Sequence, residues 1–434
     1  MEYSRYNHLC KSETDQGFYL LYNFLTGALV KLDEEHKQIF ENILTSNTHP
    51  EIQAFLLQNG FLIEDFDELA YLKLGNKLTC TDSELLSVLI APTLACNFRC
   101  PYCFEHHGSG MMSQETQDAI LQFIEKSMQE NHHKQIFVYW FGGEPLLGIN
   151  IIERMSQKLL AIAEKYHAGY ASAMSTNGYL LTPENMAVLE RAKLNRIQIT
   201  LDGMKETNDR TRILANGGGS FDTIVANLRQ MKTAMQIQIR SNLHKNNAAE
   251  FSQLKKLIDS IALETGVNMV AYGAHMASYE YNNENVDDIV LSMQEFSAVL
   301  KKNGLMGNSK TNHVRFSFCD AAKVFSYCFD EKGNLYKCWN DVGNPARAYD
   351  TVFSANEKGL NLAHIHATAF LAHSFPDNEE CLNCKVLPIC MGGCILKRVV
   401  EKKKTCSPVK YDMSDYVNKK YQLRFGANIS DTGN

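Results

Sequence analysis

The sequence predicts an α/β fold whose central part is a partial (β/α)6 barrel of the TIM type. Three observations favour it: strand-like apolar runs alternate with amphipathic helical stretches, the alternation recurs six times, and the 434 residues are enough for about three domains. Strands that alternate with helices form a parallel sheet with right-handed crossovers. Because six units are too few to close an eight-strand barrel, we expect an open one.

The strands and helices of this barrel can be placed from the sequence. The strands are predicted over residues 87–92, 135–141, 170–175, 196–201, 236–241 and 267–272. The helices are predicted over residues 114–129, 151–166, 183–192, 221–233 and 248–264. In each helical stretch apolar residues recur at i, i+3 and i+4, so that one face packs on the sheet. We therefore assign residues 86–310 to the barrel.

The first 85 residues predict a separate small module. Residues 17–32 predict two short strands around a turn at Gly27, because β-branched and aromatic residues flank a glycine that tolerates positive φ. Asp33 is expected to cap a helix over residues 34–44, and a second helix near residues 50–59 precedes another short strand. The order of hairpin, two helices and strand is typical of a winged-helix-like module, which we assign to residues 1–85.

Charge and hydropathy exclude two classes of partner. The 43 Lys and Arg residues against 49 Asp and Glu residues leave a net charge of −6, which offers no broad positive field to nucleic acid. The N-terminus lacks a signal-peptide pattern, and the longest apolar run, residues 85–96, is too short to span a bilayer. We therefore expect a soluble cytoplasmic protein that binds neither nucleic acid nor a membrane.

The 13 cysteines are grouped rather than spread. Three lie at positions 96, 100 and 103, none lies in residues 104–318, and eight lie between Cys319 and Cys406. In a reducing compartment such groups indicate metal or redox chemistry rather than disulfides. Residues 311–434, which hold the second group, show short helices and weak periodicity, as is typical of a domain that metal stabilises.

The first group forms the motif Cys96-x3-Cys100-x2-Cys103 directly after the first barrel strand. Three thiolates on one tight loop can hold three corners of a [4Fe–4S] cube and leave the fourth iron without a protein ligand. A zinc loop is the alternative, although zinc favours four ligands in paired Cys-x2-Cys knuckles. The spacing therefore predicts a cluster with one open iron.

With Tyr102 as its aromatic residue, this motif resembles the signature of the radical S-adenosylmethionine (SAM) enzymes. The resemblance covers residues 86–264 and implies that SAM binds the open iron and yields a 5′-deoxyadenosyl radical. Further motifs follow consecutive strands, where barrel enzymes place function. The resemblance implies that the SAM site comprises Tyr102, Gly142, Gly143, Glu144, Pro145, Ser175, Asn177, Thr200, Asp202 and Arg212. It implies that Glu144 meets the SAM ammonium, Arg212 its carboxylate and Thr200 its ribose.

The second group resembles the SPASM extension, which binds two auxiliary [4Fe–4S] clusters in peptide-modifying radical SAM enzymes. The resemblance implies one cluster on Cys319, Cys338 and Cys394 and another on Cys381, Cys384, Cys390 and Cys406, and so three clusters in all. Cys328 lies outside this core of seven. If Cys328 ligates, the first auxiliary cluster is closed; if not, one iron is free for a substrate thiolate. A zinc ribbon would account for Cys381-x2-Cys384 alone.

The N-terminal module resembles the PqqD-like leader-recognition element, which takes a leader peptide as an extra strand; a cap on the barrel is the alternative. Together these resemblances imply an enzyme that installs an oxidative crosslink, first of all a Cys thioether, in a ribosomally made precursor peptide. A flavodoxin or ferredoxin is the expected electron donor, and activity is expected to be anaerobic. The alternatives are a carbon–carbon crosslink, a sulfatase-maturase-like oxidation of Cys or Ser to formylglycine, and an iron–sulfur scaffold that only binds peptides. No residue is predicted as the catalytic base.

Overall fold

The computed structural model describes residues 1–45, 49–105, 107–275, 290–305, 316–317 and 319–426. The chain divides into two compact units. The first contains Met1–Cys80, Ser292–Cys319 and His373–Asn434, and the second contains Thr81–Leu291 and Asp320–Ala372. No helix among the described residues combines the length and the apolar character that crossing a membrane requires.

The N-terminal part of the first unit consists of β1 (Glu2–Tyr3), β2 (Asn7–Lys11), β3 (Tyr19–Asn23), β4 (Leu29–Leu32), α1 (Glu34–Asn42), α2 (Pro50–Gln58), β5 (Leu62–Ile63) and α3 (Glu68–Thr81). Strands β2, β3 and β4 form an antiparallel sheet in that order, and β1 pairs with β5. The predicted hairpin is confirmed as β3 and β4, and Asp33 caps α1 by accepting from the His36 N–H at 2.8 Å. Strand β2 and helix α3 were not predicted, because β2 is short and largely polar and Gly75 interrupts the helical pattern of α3.

The six predicted barrel strands are confirmed in the second unit as β6 (Leu85–Ile90), β7 (Gln135–Trp140), β8 (Gly169–Thr176), β9 (Leu194–Thr200), β10 (Gln236–Leu243) and β11 (Met269–His275). They are parallel neighbours in that order. The helices between them are α4 (Gln114–Asn131), α5 (Ile149–Lys165), α6 (Pro183–Arg191), α7 (Lys205–Thr211), α8 (Phe221–Gln230) and α9 (Phe251–Thr265). Fully buried isoleucines on the strands, such as Ile197 and Ile239, belong to the core that these helices cover.

The sheet continues beyond the first barrel strand, β6, in a way that the sequence did not predict. After α10 (Met293–Lys302), which belongs to the first unit, the chain forms β12 (Ser326–Phe329), β13 (Asn334–Tyr336) and β14 (Asp350–Thr351). Strand β12 pairs in parallel with β6, so that Cys328 lies beside Leu89, and β13 and β14 add antiparallel strands. The second unit therefore contains a nine-stranded sheet with the first barrel strand in its interior.

The remaining helices are short, as the sequence predicted for the cysteine-rich region. They are α11 (Val352–Lys358), α12 (Ile365–Leu371), α13 (Glu379–Leu382), α14 (Leu387–Cys390) and the longer α15 (Met413–Phe425). Helix α15 packs on β2 and β3 within the first unit, where Tyr416 stacks on Phe24 with ring centroids 5.8 Å apart. The Asn418 side chain also donates to the Lys11 carbonyl at 3.1 Å.

Candidate active site

A cavity of about 210 Å³ lies at the carboxyl ends of the barrel strands, and the three clustered cysteines line it. The loop that follows β6 supplies Cys96, Cys100 and Cys103. Its backbone is paired with a second segment: the Arg99 N–H donates to the Ile213 carbonyl at 2.7 Å. Because this pairing fixes the loop on both sides of Phe98, the cysteines are held at the mouth of the barrel.

The chemistry of this donor set fits an iron–sulfur cluster. Burial raises the pKa of Cys96 and of Cys103 to about 12 and also raises that of Cys100. The three side chains are therefore neutral thiols in the metal-free protein, and binding of iron would release their protons. Among the described residues, no three His, Cys, Asp or Glu side chains are arranged to hold a single metal ion. Thiolates that bind different corners of a cube stand farther apart than the ligands of one ion.

The loop after β7 lies against the cysteine loop with no room for side chains. A Cβ at Gly142 would lie 2.3 Å from the Thr93 carbonyl oxygen, and one at Gly143 would lie 2.4 Å from that of Ala95. Gly142 also has a φ of +115°. Both glycines line the cavity, so their backbone can approach a bound ligand.

Alanine substitutions at Gly142 and at an uncrowded glycine should separate the effect of steric crowding from that of backbone strain. We expect Gly142→Ala to lower the free energy of unfolding by about 3 kcal/mol and to weaken SAM binding, because the Cβ would overlap the Thr93 carbonyl. Gly217 is the control, since its φ is +84° but nothing lies within 4 Å of its Cβ position. Gly217→Ala should cost about 1 kcal/mol and leave SAM affinity unchanged. Urea unfolding and equilibrium dialysis measure both, and equal effects in the two variants would contradict the clash.

Glu144 lies behind the cavity rather than on its wall. Its carboxylate is fully buried and accepts three hydrogen bonds, from the Leu146 N–H at 3.0 Å, the Thr176 hydroxyl at 2.7 Å and the Asn177 N–H at 2.7 Å. Burial raises its pKa, and these donors oppose that rise. Glu144 therefore ties the loop after β7 to the loop after β8, and its contact with a SAM ammonium stays a prediction.

Tyr102, Asp202 and Arg212 form one hydrogen-bonded chain. The Tyr102 hydroxyl donates to the Asp202 carboxylate and accepts from Arg212 Nη1 at 2.9 Å. Asp202 also accepts from the Asn242 N–H at 2.9 Å. Arg212 packs over the Phe98 ring at 5.5 Å, and its buried Nε finds no hydrogen-bond partner among the described residues. An unpaired buried donor on the cavity wall fits an anionic ligand such as the SAM carboxylate.

The structure thus divides the predicted SAM residues into two sets. The cavity wall contains Tyr102, Gly142, Gly143, Ser175, Asn177, Thr200 and Arg212. Glu144, Pro145 and Asp202 are buried behind that wall. The residues of the first set line the cavity in which SAM is predicted to bind, and their contact with SAM stays a prediction.

The later cysteines fall into separate places. Four of them line one cavity of about 50 Å³ in the first unit: Cys381, Cys384, Cys390 and Cys406. Asn378 orients the first of these by accepting from its N–H at 2.9 Å, and Lys410 Nζ lies 3.8 Å from Cys406 Sγ. Cys394 is outside this cavity; its N–H donates to the Thr405 hydroxyl at 3.0 Å. The four cysteines in the cavity are the ones predicted to share a cluster, and their ligation of iron stays a prediction.

The other predicted ligands are divided between the units, Cys319 and Cys394 in the first and Cys338 in the second. Cys338 is buried and lies two residues after the end of β13. Cys328 is also buried, on β12, and packs in an apolar cluster with Leu89 and Phe141. A position inside a strand and an apolar cluster is typical of a structural cysteine, and ligation of iron by Cys328 stays a prediction.

Several cavity residues were missed by the sequence analysis. They are Phe98, Phe104, Glu105, His107, Phe141, Thr176, Gln198, Arg240, Asn242, His275, Trp339 and Asn340. The strand residues among them could have been found from the sequence, because Gln198 and Arg240 alternate with isoleucines and so face away from the helices. No sequence pattern indicated Trp339. It stacks on Phe141 with ring centroids 5.8 Å apart because β12 and β13 bring it beside β6.

Comparison with known proteins places this site in a family. Residues 90–258 match the family described as the Radical SAM superfamily. The chain is 24% identical over 345 residues to the cysteine-type anaerobic sulfatase-maturating enzyme of Clostridium novyi. The matched region covers 71% of this chain and 87% of that protein. It is 22% identical over 436 residues to the radical SAM cyclopropyl synthase TigE of Paramaledivibacter caminithermalis. The matched region covers 92% of this chain and 86% of that protein. The solved structure of native anSMEcpe with bound AdoMet and the Cp18Cys peptide gives a TM-score of 0.59 at 19% identity, covering 80% of this chain and 98% of that one.

The barrel, the cysteine loop and the family match define a class that uses SAM at an iron–sulfur cluster. The chain carries a radical SAM domain and is a radical SAM enzyme. The family implies a [4Fe–4S] cluster and SAM as cofactors, which the cavity residues fit. The likeness to anSMEcpe, at 19% identity, supports the fold alone.

Proposed function

We propose that this enzyme installs an oxidative crosslink, a thioether from a cysteine, in a ribosomally synthesised precursor peptide. The observation that carries the proposal is the cavity in which the three cysteines face Arg212 and the glycines after β7. The cluster and SAM, when bound, supply a 5′-deoxyadenosyl radical that takes a hydrogen atom from a substrate carbon. Cys96, Cys100 and Cys103 would hold the cluster, and Arg212 would hold the SAM carboxylate.

The protein's own task in this proposal is to hold the substrate and to exclude water. The aromatic side chains of Phe104, Phe141 and Trp339 line one side of the cavity as a stack, with neighbouring centroids 6.5 and 5.8 Å apart. Trp339 remains 43% exposed, so the stack has an open end. An apolar wall with an open end fits a peptide side chain that enters from solvent.

A peptide substrate is also supported by the relatives. The Clostridium novyi relative is named for maturation of a sulfatase, which is a protein. TigE, which covers 92% of this chain, is named a cyclopropyl synthase. These relatives support a peptide or protein substrate more than they support any one bond type.

The test is to incubate the reconstituted enzyme with SAM, a reductant and the precursor peptide encoded beside its gene. Each crosslink should remove two hydrogen atoms, a loss of about 2 Da, and fragmentation should place the new bond on a cysteine sulfur. A carbon–carbon crosslink gives the same mass loss with the cysteine thiol still free for alkylation. An unchanged peptide mass in the presence of SAM cleavage would contradict the proposal.

Oxidation to formylglycine is the second candidate, and the match to the sulfatase-maturating enzyme favours it. Its product is an aldehyde, whereas a crosslinked peptide has none. Labelling the product with a hydrazide probe therefore separates the two. A labelled product from a sulfatase-derived peptide, with no reaction of the precursor peptide, would replace the first proposal.

We also propose that the module at residues 1–85 binds the leader of the precursor peptide along β4. Strand β4 is an edge strand, since among the described residues it pairs with β3 alone. The Asn23 N–H donates to the Ala28 carbonyl at 3.0 Å, and antiparallel pairs alternate, so Leu29 and Lys31 direct their N–H groups away from β3. An edge with outward N–H groups accepts a peptide as a further strand.

The outward N–H groups of β4 can be tested by a substitution that removes one of them. Leu29→Pro removes one outward N–H, which an edge strand tolerates, and should weaken leader binding by about tenfold. The matched control is Leu29→Ala, which shortens the same side chain but keeps the N–H. Fluorescence anisotropy of a labelled leader measures both affinities. Equal affinities in the two variants would show that the leader binds elsewhere.

A further inference from the structure

Two arginines lie on the inner face of the barrel strands. In β9 and β10 every second residue is a buried core residue, with Ile197, Ile199, Ile237 and Ile239 packed under the helices. The alternate positions therefore face the barrel interior. They include Arg196 on β9 and Arg240 on β10, both half-buried.

Arg240 lines the cavity that holds the clustered cysteines. Its register partner on β9 is Thr200, another lining residue. Arg240 Nε donates to the Asn242 side-chain oxygen at 2.9 Å, which fixes the guanidinium and leaves its Nη donors for another acceptor. The side chain is thus held in place on the wall of a ligand cavity.

Neither arginine has an anionic partner within the part of the chain that the structure describes. Other arginines of the same unit form ion pairs: Arg154 with Asp118, Arg191 with Glu153, Arg210 with Glu206, Arg229 with Glu264 and Arg347 with Asp341. Arg196 and Arg240 also share a neighbour, because both charges oppose the rise that burial causes in the pKa of Tyr139. Two like charges in one half-buried interior repel each other, and an anion between them would relieve that repulsion.

We propose that Arg240, with Arg196 behind it, binds a carboxylate of the peptide substrate and so positions the segment that reacts. This inference rests on the proposed function and adds the substrate's charge to it. SAM contributes one carboxylate, for which Arg212 is the buried donor with an unpaired Nε. Arg240 therefore serves a second carboxylate, and a bidentate guanidinium is well suited to hold it. The carboxylate belongs either to an Asp or Glu side chain or to the peptide's C-terminus.

The experiment measures peptide choice rather than turnover. Two synthetic pools of random decapeptides, one with amidated and one with free C-termini, are applied to the immobilised, cluster-loaded enzyme with SAM, and the retained peptides are sequenced by mass spectrometry. In the amidated pool, wild-type enzyme should enrich Asp and Glu at one position by about tenfold. Enrichment confined to the free-acid pool, without a side-chain preference, assigns the C-terminal carboxylate instead.

Variants test whether Arg240 is the cause. Arg240→Gln should abolish the acidic preference, and Arg240→Glu should replace it by a preference for Lys and Arg. The matched control is Arg229→Gln, which removes an exposed arginine paired with Glu264 and should keep the wild-type preference. If Arg240→Gln loads no cluster, Arg240→Lys is used in its place. This variant keeps the positive charge without the bidentate guanidinium and should show a weaker preference for acidic residues.

Three results would overturn the inference. One is an acidic preference that Arg240→Gln retains, and another is wild-type enzyme that retains peptides without any carboxylate preference. The third is a loss of SAM affinity in Arg240→Gln by equilibrium dialysis without peptide, which would assign Arg240 to the SAM site. Wild-type enzyme that retains no peptide at all would overturn the proposed function itself, and this inference with it.

Discussion

An enzyme in which Cys96, Cys100 and Cys103 are all replaced by alanine should form 5′-deoxyadenosine at least about a thousandfold more slowly than the wild type. The three cysteines line one cavity and are the only thiol ligands that the loop after β6 supplies there. Removing them should also lower the iron content by about four atoms per chain. Anaerobic reconstitution, iron analysis and chromatography of the nucleoside product measure both effects.

Cys10→Ala is the control for this experiment. Cys10 lies on β2 in the first unit and is not among the residues that line either cysteine-lined cavity. Its replacement should leave iron content and SAM cleavage at wild-type values. Wild-type SAM cleavage by the triple variant would contradict the assignment of the cavity.

Replacing Cys384 by alanine should separate SAM cleavage from product formation. Cys384 lines the small cavity with Cys381, Cys390 and Cys406, where we propose an auxiliary cluster. We propose that this cluster would accept the surplus electron of the substrate radical, so that the crosslink could not form without it. The variant should therefore keep forming 5′-deoxyadenosine while its crosslinked peptide falls by about a hundredfold or more, with about four iron atoms fewer per chain.

The control is Cys80→Ala, which removes a buried cysteine on α3 of the same unit but outside that cavity. It should retain both the iron and the crosslinked product. A Cys384→Ala enzyme with unchanged iron content would show that this cavity holds no cluster. Lost iron with an unchanged yield of crosslinked peptide would show that the cluster has no part in the reaction.

The sequence predicted the barrel and the cysteine loop because both depend on short-range patterns. Alternating apolar residues define β9 and β10, and the Cys96 motif follows its strand within a few residues. Loops that follow parallel strands meet at one edge of the sheet, so the residues of the site could be grouped from the sequence alone. The structure confirmed the six strands, with bounds shifted by at most three residues.

Contacts between distant parts of the sequence could not be predicted in this way. The pairing of Ser326 with Ser87 joins residues far apart in the chain, and no local pattern encodes it. That pairing places β12 beside β6, and Trp339, which follows β13, lines the cavity. Glu144 is a second case, since only the positions of the Thr176 and Asn177 donors show that its carboxylate is already bonded within the protein.

The central claim is that a radical formed in this cavity takes hydrogen from a peptide. The most direct measurement uses the precursor peptide deuterated at its non-exchangeable carbons, with wild-type enzyme, SAM and reductant. We expect the 5′-deoxyadenosine formed to gain one deuterium, a rise of about 1 Da, in step with the loss of one deuterium and one thiol hydrogen by the peptide. Nucleoside without deuterium from a reaction that yields modified peptide would contradict the account.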